Sequence, residues 1–312
     1  MTSPSHAAVG IAIAYGVFAI CHVAINADEP EKNSLDPAAW GSDHIGETVP
    51  EYMTGGECLF CHRKVIGKHW SKNRHQLTIR PVDEGLPERW KSLKPTLVLG
   101  SENLSRYLRK SSEYGKLEMT TTEKNGGDWD AQTFGNRCAG CHATGVDHET
   151  QAFSSLSIDC YSCHGDVDLD HTKDSSLMVL SKKRNDPARV AISICAQCHI
   201  RTGKSRSTGL PYANNFIAGD NLFRDFEIDF TDEALKVLNP GDGHILENVR
   251  DVVLQGNDAV TCLTCHQVHH GSTDRHQKLA KSSAICNHCH ESKGGDDWTK
   301  KSYKVHSAVC GY

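Results

Sequence analysis

The sequence is poor in apolar side chains for its length. Of 312 residues, 38% are hydrophobic and 7% are aromatic, and there are only 4 methionines. Positive charge is not in excess either: 34 lysines and arginines face 39 aspartates and glutamates, so the net charge is −5 with neutral histidine. Nucleic-acid binding needs a basic face, and the charge balance argues against such a partner. The low apolar content limits how large a core the side chains alone can form.

Cysteine and histidine are abundant instead, with 14 and 19 residues. Twelve of the cysteines form six Cys-x-x-Cys pairs, and a histidine follows each pair directly. The motifs are CLFCH (Cys58, Cys61, His62), CAGCH (Cys138, Cys141, His142), CYSCH (Cys160, Cys163, His164), CAQCH (Cys195, Cys198, His199), CLTCH (Cys262, Cys265, His266) and CNHCH (Cys286, Cys289, His290). Cys21 and Cys310 are left over.

The Cys-x-x-Cys-His string is the attachment signature of haem c. Its two thiols form thioether bonds to the haem vinyl groups, and the adjacent imidazole binds the iron from one side. A zinc ribbon or a disulfide framework is the alternative, and the gaps Cys141 to Cys160 and Cys265 to Cys286 fit zinc-ribbon spacing. Neither alternative requires a histidine after every second cysteine. The sequence therefore predicts six covalently bound haem c groups, each with one iron.

The N-terminus predicts export. Residues 8–25 are apolar without lysine or arginine, and the acidic stretch from Asp28 to Glu31 follows them. Residues 1–27 are therefore expected to be a signal peptide cleaved after Ala27, or an N-terminal anchor that associates the protein with a membrane. Lipidation at Cys21 is a third alternative. All three deliver the chain to the periplasm or the cell exterior, where haem c is attached.

The rest of the chain divides into an extended polar arm (28–55) and a six-haem domain (56–312). Alternating and β-branched residues between the first two motifs predict a small antiparallel β-module at about 90–125; an irregular lobe is the alternative. From Cys138 onward the motifs lie close together, and the only clear helix is expected over Asp232 to Leu238. The predicted fold class is mainly α with much irregular coil, built around haem.

Eleven histidines remain after the six motif histidines and the two in the leader. A second axial imidazole makes a haem iron six-coordinate and low-spin, and lowers its potential relative to methionine ligation. Methionine is scarce, so bis-histidine ligation is expected to dominate. The candidate distal ligands are His75, His171, His244, His269, His276 and His306, with His244 expected to project from a Gly-Asp-Gly turn. An exposed or hydrogen-bonded histidine without metal is the alternative at each position.

Four stretches carry a resemblance to a known family: Asn136–Gly145 with Asp159–Gly165, Cys195–His199, Thr261–His269, and Cys58–His62 followed by Trp70 and His75. They resemble the multihaem superfamily that contains the nitrifiers' tetrahaem cytochrome c and hydroxylamine oxidoreductase. The resemblance covers most of residues 56–290. It implies that His75, His171 and His269 are distal ligands, each to a haem other than the one beside it in sequence. It also implies haems packed in stacked and perpendicular pairs.

Catalytic members of that superfamily have a lysine-ended haem motif or a tyrosine cross-linked to haem. No Cys-x-x-Cys-Lys occurs in this chain, and no catalytic residue is assigned. The expected function is electron transfer between other redox proteins. One alternative is an oxidoreductase that acts on a small nitrogen or sulfur species at one haem with an open coordination position. Another is a haem-wire subunit, in which Cys310 permits an intermolecular link. The oligomeric state is not predicted.

Overall fold

The computed structural model describes residues 55–82, 86, 88–100, 105–120, 128–256, 260–270 and 276–278. They all belong to one unit that spans Ser34–Tyr312. The predicted signal or anchor, nearly all of the N-terminal arm, the sixth haem motif and His306 lie outside the described residues.

Short helices and short strands alternate along the described chain. The α-helices are α1 (Gly55–His62), α2 (Lys68–Trp70), α3 (Glu88–Lys91), α4 (Thr133–Arg137), α5 (Ala139–His142), α6 (Tyr161–His164), α7 (Ala188–His199), α8 (Asp232–Val237), α9 (Pro240–Gln255) and α10 (Cys262–Cys265). A π-helical turn over Arg63–Gly67 joins α1 to α2, and 3-10 turns lie at Leu169–Thr172, Ser175–Leu177 and Leu222–Arg224. The strands are β1 (Ile79–Pro81), β2 (Leu97–Leu99), β3 (Arg106–Lys110), β4 (Leu117–Thr120), β5 (Trp129–Asp130), β6 (Ala143–Val146), β7 (Phe153–Leu156), β8 (Lys204–Ser205) and β9 (Phe226–Glu227).

The first five strands form an antiparallel sheet in sequential order. Leu108 on the central strand lies opposite Leu97 on one side and Met119 on the other. The side chains of Leu108, Leu117 and Met119 pack with Phe134 of α4 into a buried apolar cluster. The small antiparallel sheet predicted between the first and second haem motifs is therefore present. It runs from Ile79 to Asp130, beyond both predicted ends.

A second apolar core lies between α7 and α9. Ile192 and Ala196 of α7 pack with Leu246, Val249 and Val253 of α9, and all five are buried. The predicted helix over Asp232 to Leu238 is present as α8, which ends at Val237, whereas the longer α7 and α9 were not predicted.

The start of α9 differs from the sequence-based expectation. The Asn239 side chain accepts hydrogen bonds from the backbone N–H of Gly241 and Asp242 at 2.9 and 3.1 Å, and proline at the first helical position has its dihedral pre-set for a helix. The Gly-Asp-Gly sequence is thus the first turn of a helix and not an isolated turn. His244 lies within that helix.

Buried polar contacts join the sheet to the region of the second and third motifs. The Ser157 hydroxyl accepts from Ile79 N–H at 3.0 Å and donates to Ile79 C=O at 2.9 Å. Thr144 of β6 donates to the Ser157 carbonyl at 2.8 Å and accepts from Asp159 N–H at 3.1 Å. Because buried hydrogen bonds are costly to break, this network fixes the third motif relative to the sheet.

Candidate haem-binding site

Five of the six haem motifs lie in the described residues, and each is built on a helical turn. The first and fourth motifs end α1 and α7. The helices α5 and α6 begin directly after the first cysteine of the second and third motifs, and α10 ends directly before His266 of the fifth. In a helical turn, residues three and four apart lie on one face. The two thiols and the imidazole of a Cys-x-x-Cys-His string are therefore able to bond one planar group from the same side.

Thiols of different motifs lie next to one another. The thiol of Cys58 is close enough to that of Cys160 to shift its pKa, and the same is true of Cys141 with Cys198 and of Cys195 with Cys262. The first motif thus contacts the third, the second contacts the fourth, and the fourth contacts the fifth.

The third and fourth motifs are also linked. The Gln197 side chain, in the fourth motif, donates to the Ser162 carbonyl of the third at 3.2 Å. The Cys163 thiol beside this contact is buried, which raises its pKa to about 11. The five described motifs consequently form one connected cluster.

Asp159 ties the first motif to the third. Its carboxylate accepts from Gly55 N–H at 3.4 Å, at the start of α1, and from Tyr161 N–H at 3.0 Å, at the start of α6. Burial raises the pKa of this carboxyl above its ordinary value, although both hydrogen bonds lower it. One buried side chain therefore accepts a hydrogen bond from the first backbone N–H of two motif helices.

Three histidines outside the motifs face a motif histidine from a distant part of the chain. The ring centroids of His62 and His171 are 6.1 Å apart, those of His199 and His75 are 6.1 Å apart, and those of His164 and His269 are 5.8 Å apart. The sequence-predicted distal candidates His75, His171 and His269 are thus each brought next to one motif histidine. In each case that histidine belongs to a motif other than the one directly before the candidate in sequence.

These separations fit a metal ion between the rings. An imidazole nitrogen binds a metal at roughly 2 Å, so two rings on opposite sides of one ion have centroids roughly 6 Å apart. Two further histidine contacts are closer: His75 with His276 at 5.1 Å and His69 with His270 at 5.3 Å, both nearly parallel. At these shorter separations the two rings leave less room for an ion between them. The rings of His62 and His171 are also nearly parallel, at 26°, whereas those of the other two facing pairs are inclined by 75° and 39°.

Backbone carbonyls orient two of the rings. Nδ1 of His164 lies 2.7 Å from the Val179 carbonyl oxygen, and Nδ1 of His171 lies 2.6 Å from the Asp168 carbonyl oxygen. A carbonyl only accepts, so Nδ1 is the donor in both cases and the lone pair of the neutral ring is on Nε2. Metal-binding histidines usually have such an outer hydrogen bond, which fixes the ring and its tautomer.

Burial keeps two of the candidate ligands, His75 and His269, neutral. Desolvation, followed by the nearby His199 and His276, lowers the pKa of His75 to about 4. Desolvation, followed by His164, likewise lowers the pKa of His269 to about 4. Both rings are therefore uncharged at neutral pH, which is the form of imidazole that binds a metal.

The second motif has a different environment. Burial lowers the pKa of His142 to about 4, and its Nδ1 is buried without a hydrogen-bond partner. Within the part of the chain that the structure describes, no histidine ring packs against His142. Facing histidine pairs are thus present at the first, third and fourth motifs, and none is found at the second in the described ranges.

The other predicted distal ligands are placed differently. The backbone carbonyl of His244 accepts from the Asn248 side chain at 2.7 Å, one turn later in α9. His276 stacks on His75. His306 lies outside the described residues, as do Cys286, Cys289 and His290 of the sixth motif.

Two residues near the paired rings were not predicted as part of the site. The Trp70 ring meets His269 edge-on at 6.4 Å, and the Asn73 side chain bonds the backbone before His269. Trp70 appeared in the sequence only as part of the resemblance, and nothing in the sequence marks Asn73.

Comparison with protein-family models, curated proteins and solved structures gives no significant match. No three His, Cys, Asp or Glu side chains among the described residues converge on a common point that a metal ion would fill. None of the helices described above is both long and apolar enough to cross a membrane.

Proposed function

We propose that this protein is an exported c-type cytochrome with six covalently bound haems, which carries electrons between other redox proteins. The observation that carries the proposal is the set of three facing histidine pairs. Each pair combines a haem-motif histidine with a histidine far away in sequence, at the separation expected across one iron. Together with six complete attachment motifs, the pairs favour haem over zinc or disulfides.

The pairs suggest a ligand set for three of the haems. His62 and His171 would hold the first, His164 and His269 the third, and His199 and His75 the fourth. A haem with two imidazole ligands transfers electrons without binding a substrate at the iron. The hydrogen bonds from His164 and His171 to backbone carbonyls would raise the basicity of these ligands and favour the ferric state.

The thiol contacts support close packing of the haems. The first site adjoins the third, and the fourth adjoins the second, third and fifth. An electron that enters at the first site would then reach the fourth through the third, with branches to the second and the fifth. The protein would tune each step through the second ligand, burial and hydrogen bonding of each haem.

A basic surface beside the first motif suggests where a partner docks. Arg63, Lys64, Lys68 and Lys72 are exposed, and none of them forms an ion pair within the described residues. Phe60, between the two cysteines of the motif, is 87% exposed. Exposed apolar side chains with a charged rim are typical of protein interfaces, and the positive charge would steer an acidic redox protein to this haem.

The alternative function is an oxidoreductase at the second motif. A catalytic metal needs an open position, and His142 has no facing histidine among the described residues. A small nitrogen or sulfur species would then bind the second haem iron on the side away from His142.

Two measurements test the proposal. The intact mass of the mature protein should exceed that of the processed chain by six haems, and the pyridine haemochrome assay should give the same number. A holoprotein with fewer than six haems, made with complete attachment machinery, would contradict the assignment of at least one motif. Electron paramagnetic resonance should show low-spin ferric iron at the three paired sites.

Turnover separates the carrier from the enzyme. The reduced protein is mixed with nitrite or hydroxylamine without oxygen, and in parallel with a second oxidised cytochrome. A carrier reoxidises rapidly with the cytochrome and slowly with the small molecules. Reoxidation by a small molecule on the order of once per second or faster would favour the enzyme.

A further inference from the structure

Asn73 is a buried side chain that connects two distant parts of the chain. It is 4% exposed. Its side-chain N–H donates to the Val268 carbonyl at 2.5 Å, and its side-chain oxygen accepts from His75 N–H at 2.9 Å. Both ends of the amide are therefore used, one toward each segment.

Each of these hydrogen bonds lies next to a proposed ligand. One fixes the backbone of His75, which faces His199, and the other fixes Val268, directly before His269, which faces His164. Asn73 is thus the shared support of two histidines that face two different haem motifs.

Trp70 also contacts this part of the chain. Its ring lies edge-on to the His269 ring at 6.4 Å, and its indole N–H donates to the Gln76 side chain at 2.7 Å. The backbone carbonyl of Trp70 accepts from Asn73 N–H at 2.9 Å, and the Asn73 carbonyl accepts from Leu77 N–H at 3.0 Å. The turn that holds Asn73 is therefore bonded on both sides, which leaves its amide with a fixed direction.

We propose that Asn73 is a positioning residue that holds the distal ligands of the third and fourth haems together, so that losing it loosens both. This inference rests on the proposed function, because it takes His75 and His269 to be haem ligands. Only a side chain with a donor and an acceptor at this length makes both bonds. Aspartate matches the shape and the acceptor of asparagine but does not donate, and alanine has neither group.

Asparagine, alanine and aspartate at position 73 should each give a different set of haem spin states. Asn73→Ala loses both bonds, so both the third and the fourth haem should become partly high-spin. Asn73→Asp keeps the bond to His75 N–H and faces the Val268 carbonyl with an acceptor, so the third haem alone should change. Wild type should keep both irons low-spin.

The experiment uses the purified holoprotein with all haems attached. Low-temperature magnetic circular dichroism counts the high-spin ferric haems, and carbon monoxide titration of the reduced protein counts the irons with an open position. Relative to wild type, we expect about two additional carbon monoxide sites in Asn73→Ala and about one in Asn73→Asp, from the two bonds that Asn73 makes. Asn214→Ala is the control, because Asn214 is also buried and hydrogen-bonded, to Ser207 at 2.9 Å, but contacts no paired histidine.

Removing the proposed ligands themselves tests the ligation separately from the role of Asn73. His75→Ala and His269→Ala should each add one carbon monoxide site. If either variant adds no carbon monoxide site, the ligation proposed for that histidine is wrong. If both add one while the Asn73 variants behave as wild type, only the proposed role of Asn73 is wrong. An equal gain in Asn214→Ala would likewise overturn it, since general loosening would then explain the effect. If Asn73→Ala does not yield folded holoprotein, Asn73→Asp decides the question alone.

Discussion

The five-stranded sheet and the segment before it, residues 55–78, are neighbours in sequence but are stabilised by different means. In the sheet, backbone pairing along five strands covers an apolar cluster that includes Leu108, Leu117 and Met119. In residues 55–78 only Gly55, Trp70 and Asn73 are buried. The sheet thus has its own apolar core, whereas the segment carries a haem motif, a proposed distal ligand and exposed cations.

The difference shows where the proposed cofactor would contribute to the fold. Burial of apolar surface is the main driving force of folding, and the segment has little of its own. Haem bonded to Cys58, Cys61 and His62 would supply apolar surface there, and the folding of such a segment becomes coupled to the cofactor. The apolar cluster of the sheet draws most of its side chains from the strands and α4, although Ala139 and Ala143 at the second motif also belong to it.

The largest expected effect comes from withholding haem. When the chain is produced without the attachment machinery and kept reduced, residues 55–78 should lose all protection from amide hydrogen exchange. The strands β3 and β4 should keep measurable protection, because stability is distributed unevenly through a structure. Hydrogen exchange read by mass spectrometry on matched peptides makes the comparison. Equal loss in both regions would show that the sheet, too, depends on haem.

The next effect tests the sheet core directly. Leu108 has no exposed surface and packs at the centre of the sheet, so Leu108→Ala should lower the free energy of unfolding by about 2–5 kcal/mol. Val65→Ala is the matched change in the other segment, at a side chain that is 70% exposed, and should alter it by less than about 0.5 kcal/mol. Denaturant titrations followed by circular dichroism measure both. A larger loss at Val65 would mean that a partner surface or the haem covers that side chain.

The sequence indicates the sheet well, because it depends on local signals; the Cys-x-x-Cys-His motifs are also local, and haem at them stays a prediction. Cysteine spacing gives the motifs, and alternating apolar residues near β2 and β3 give the sheet. The helix α9 also has local signals: Asn239-Pro240 at its start, Gly256 in the left-handed conformation at its end, and Leu246, Val249 and Val253 at helical spacing. Taking Gly-Asp-Gly for a turn concealed it, since two glycines weigh heavily in any local prediction.

Long-range contacts are what the sequence does not indicate. Asn73 meets Val268 across 195 positions, and no local pattern marks either residue. The histidine partners of the motifs are similar. The surplus of histidines supplies the candidate ligands, and the resemblance selects His75, His171 and His269 among them. Only the fold shows that His171 lies beside His62. The physical reason is that a buried polar contact depends on what the rest of the chain places opposite it.

A smaller effect on stability is expected at the second motif, which is held by side-chain packing in addition to the haem expected there. A Cβ atom on Gly140, inside the second motif, would overlap the ring of Tyr212, whose hydroxyl donates to the Gly135 carbonyl at 2.7 Å. Gly140→Ala should therefore cost about 1–3 kcal/mol of unfolding free energy.

Gly243→Ala is the control for that change. Gly243 lies in α9 and its Cβ would meet nothing within 4 Å, so alanine should stabilise the helix by about 0.5–1 kcal/mol. Thermal melts of the two variants should thus shift in opposite directions. A neutral Gly140→Ala would mean that Tyr212 moves freely, and that the second motif resembles residues 55–78 more than the sheet.

The smallest effect on stability, and the most informative for function, comes from the charges beside the first motif. Lys64→Glu combined with Lys68→Glu should change the free energy of unfolding by less than about 0.5 kcal/mol, because both side chains are exposed. It should nevertheless slow oxidation of the reduced holoprotein by an anionic iron cyanide complex, since the local positive charge that attracts the oxidant is reversed. Oxidation by a cationic cobalt ammine complex should become faster. Both changes should shrink as ionic strength rises, because salt screens exposed charges.

Lys182→Glu with Lys183→Glu is the control. It changes the net charge equally at exposed positions outside residues 55–78, and stopped-flow rates should change less in that variant. Equal changes in the two double variants would indicate that net charge alone governs the rate, and would remove residues 63–72 as the proposed docking surface.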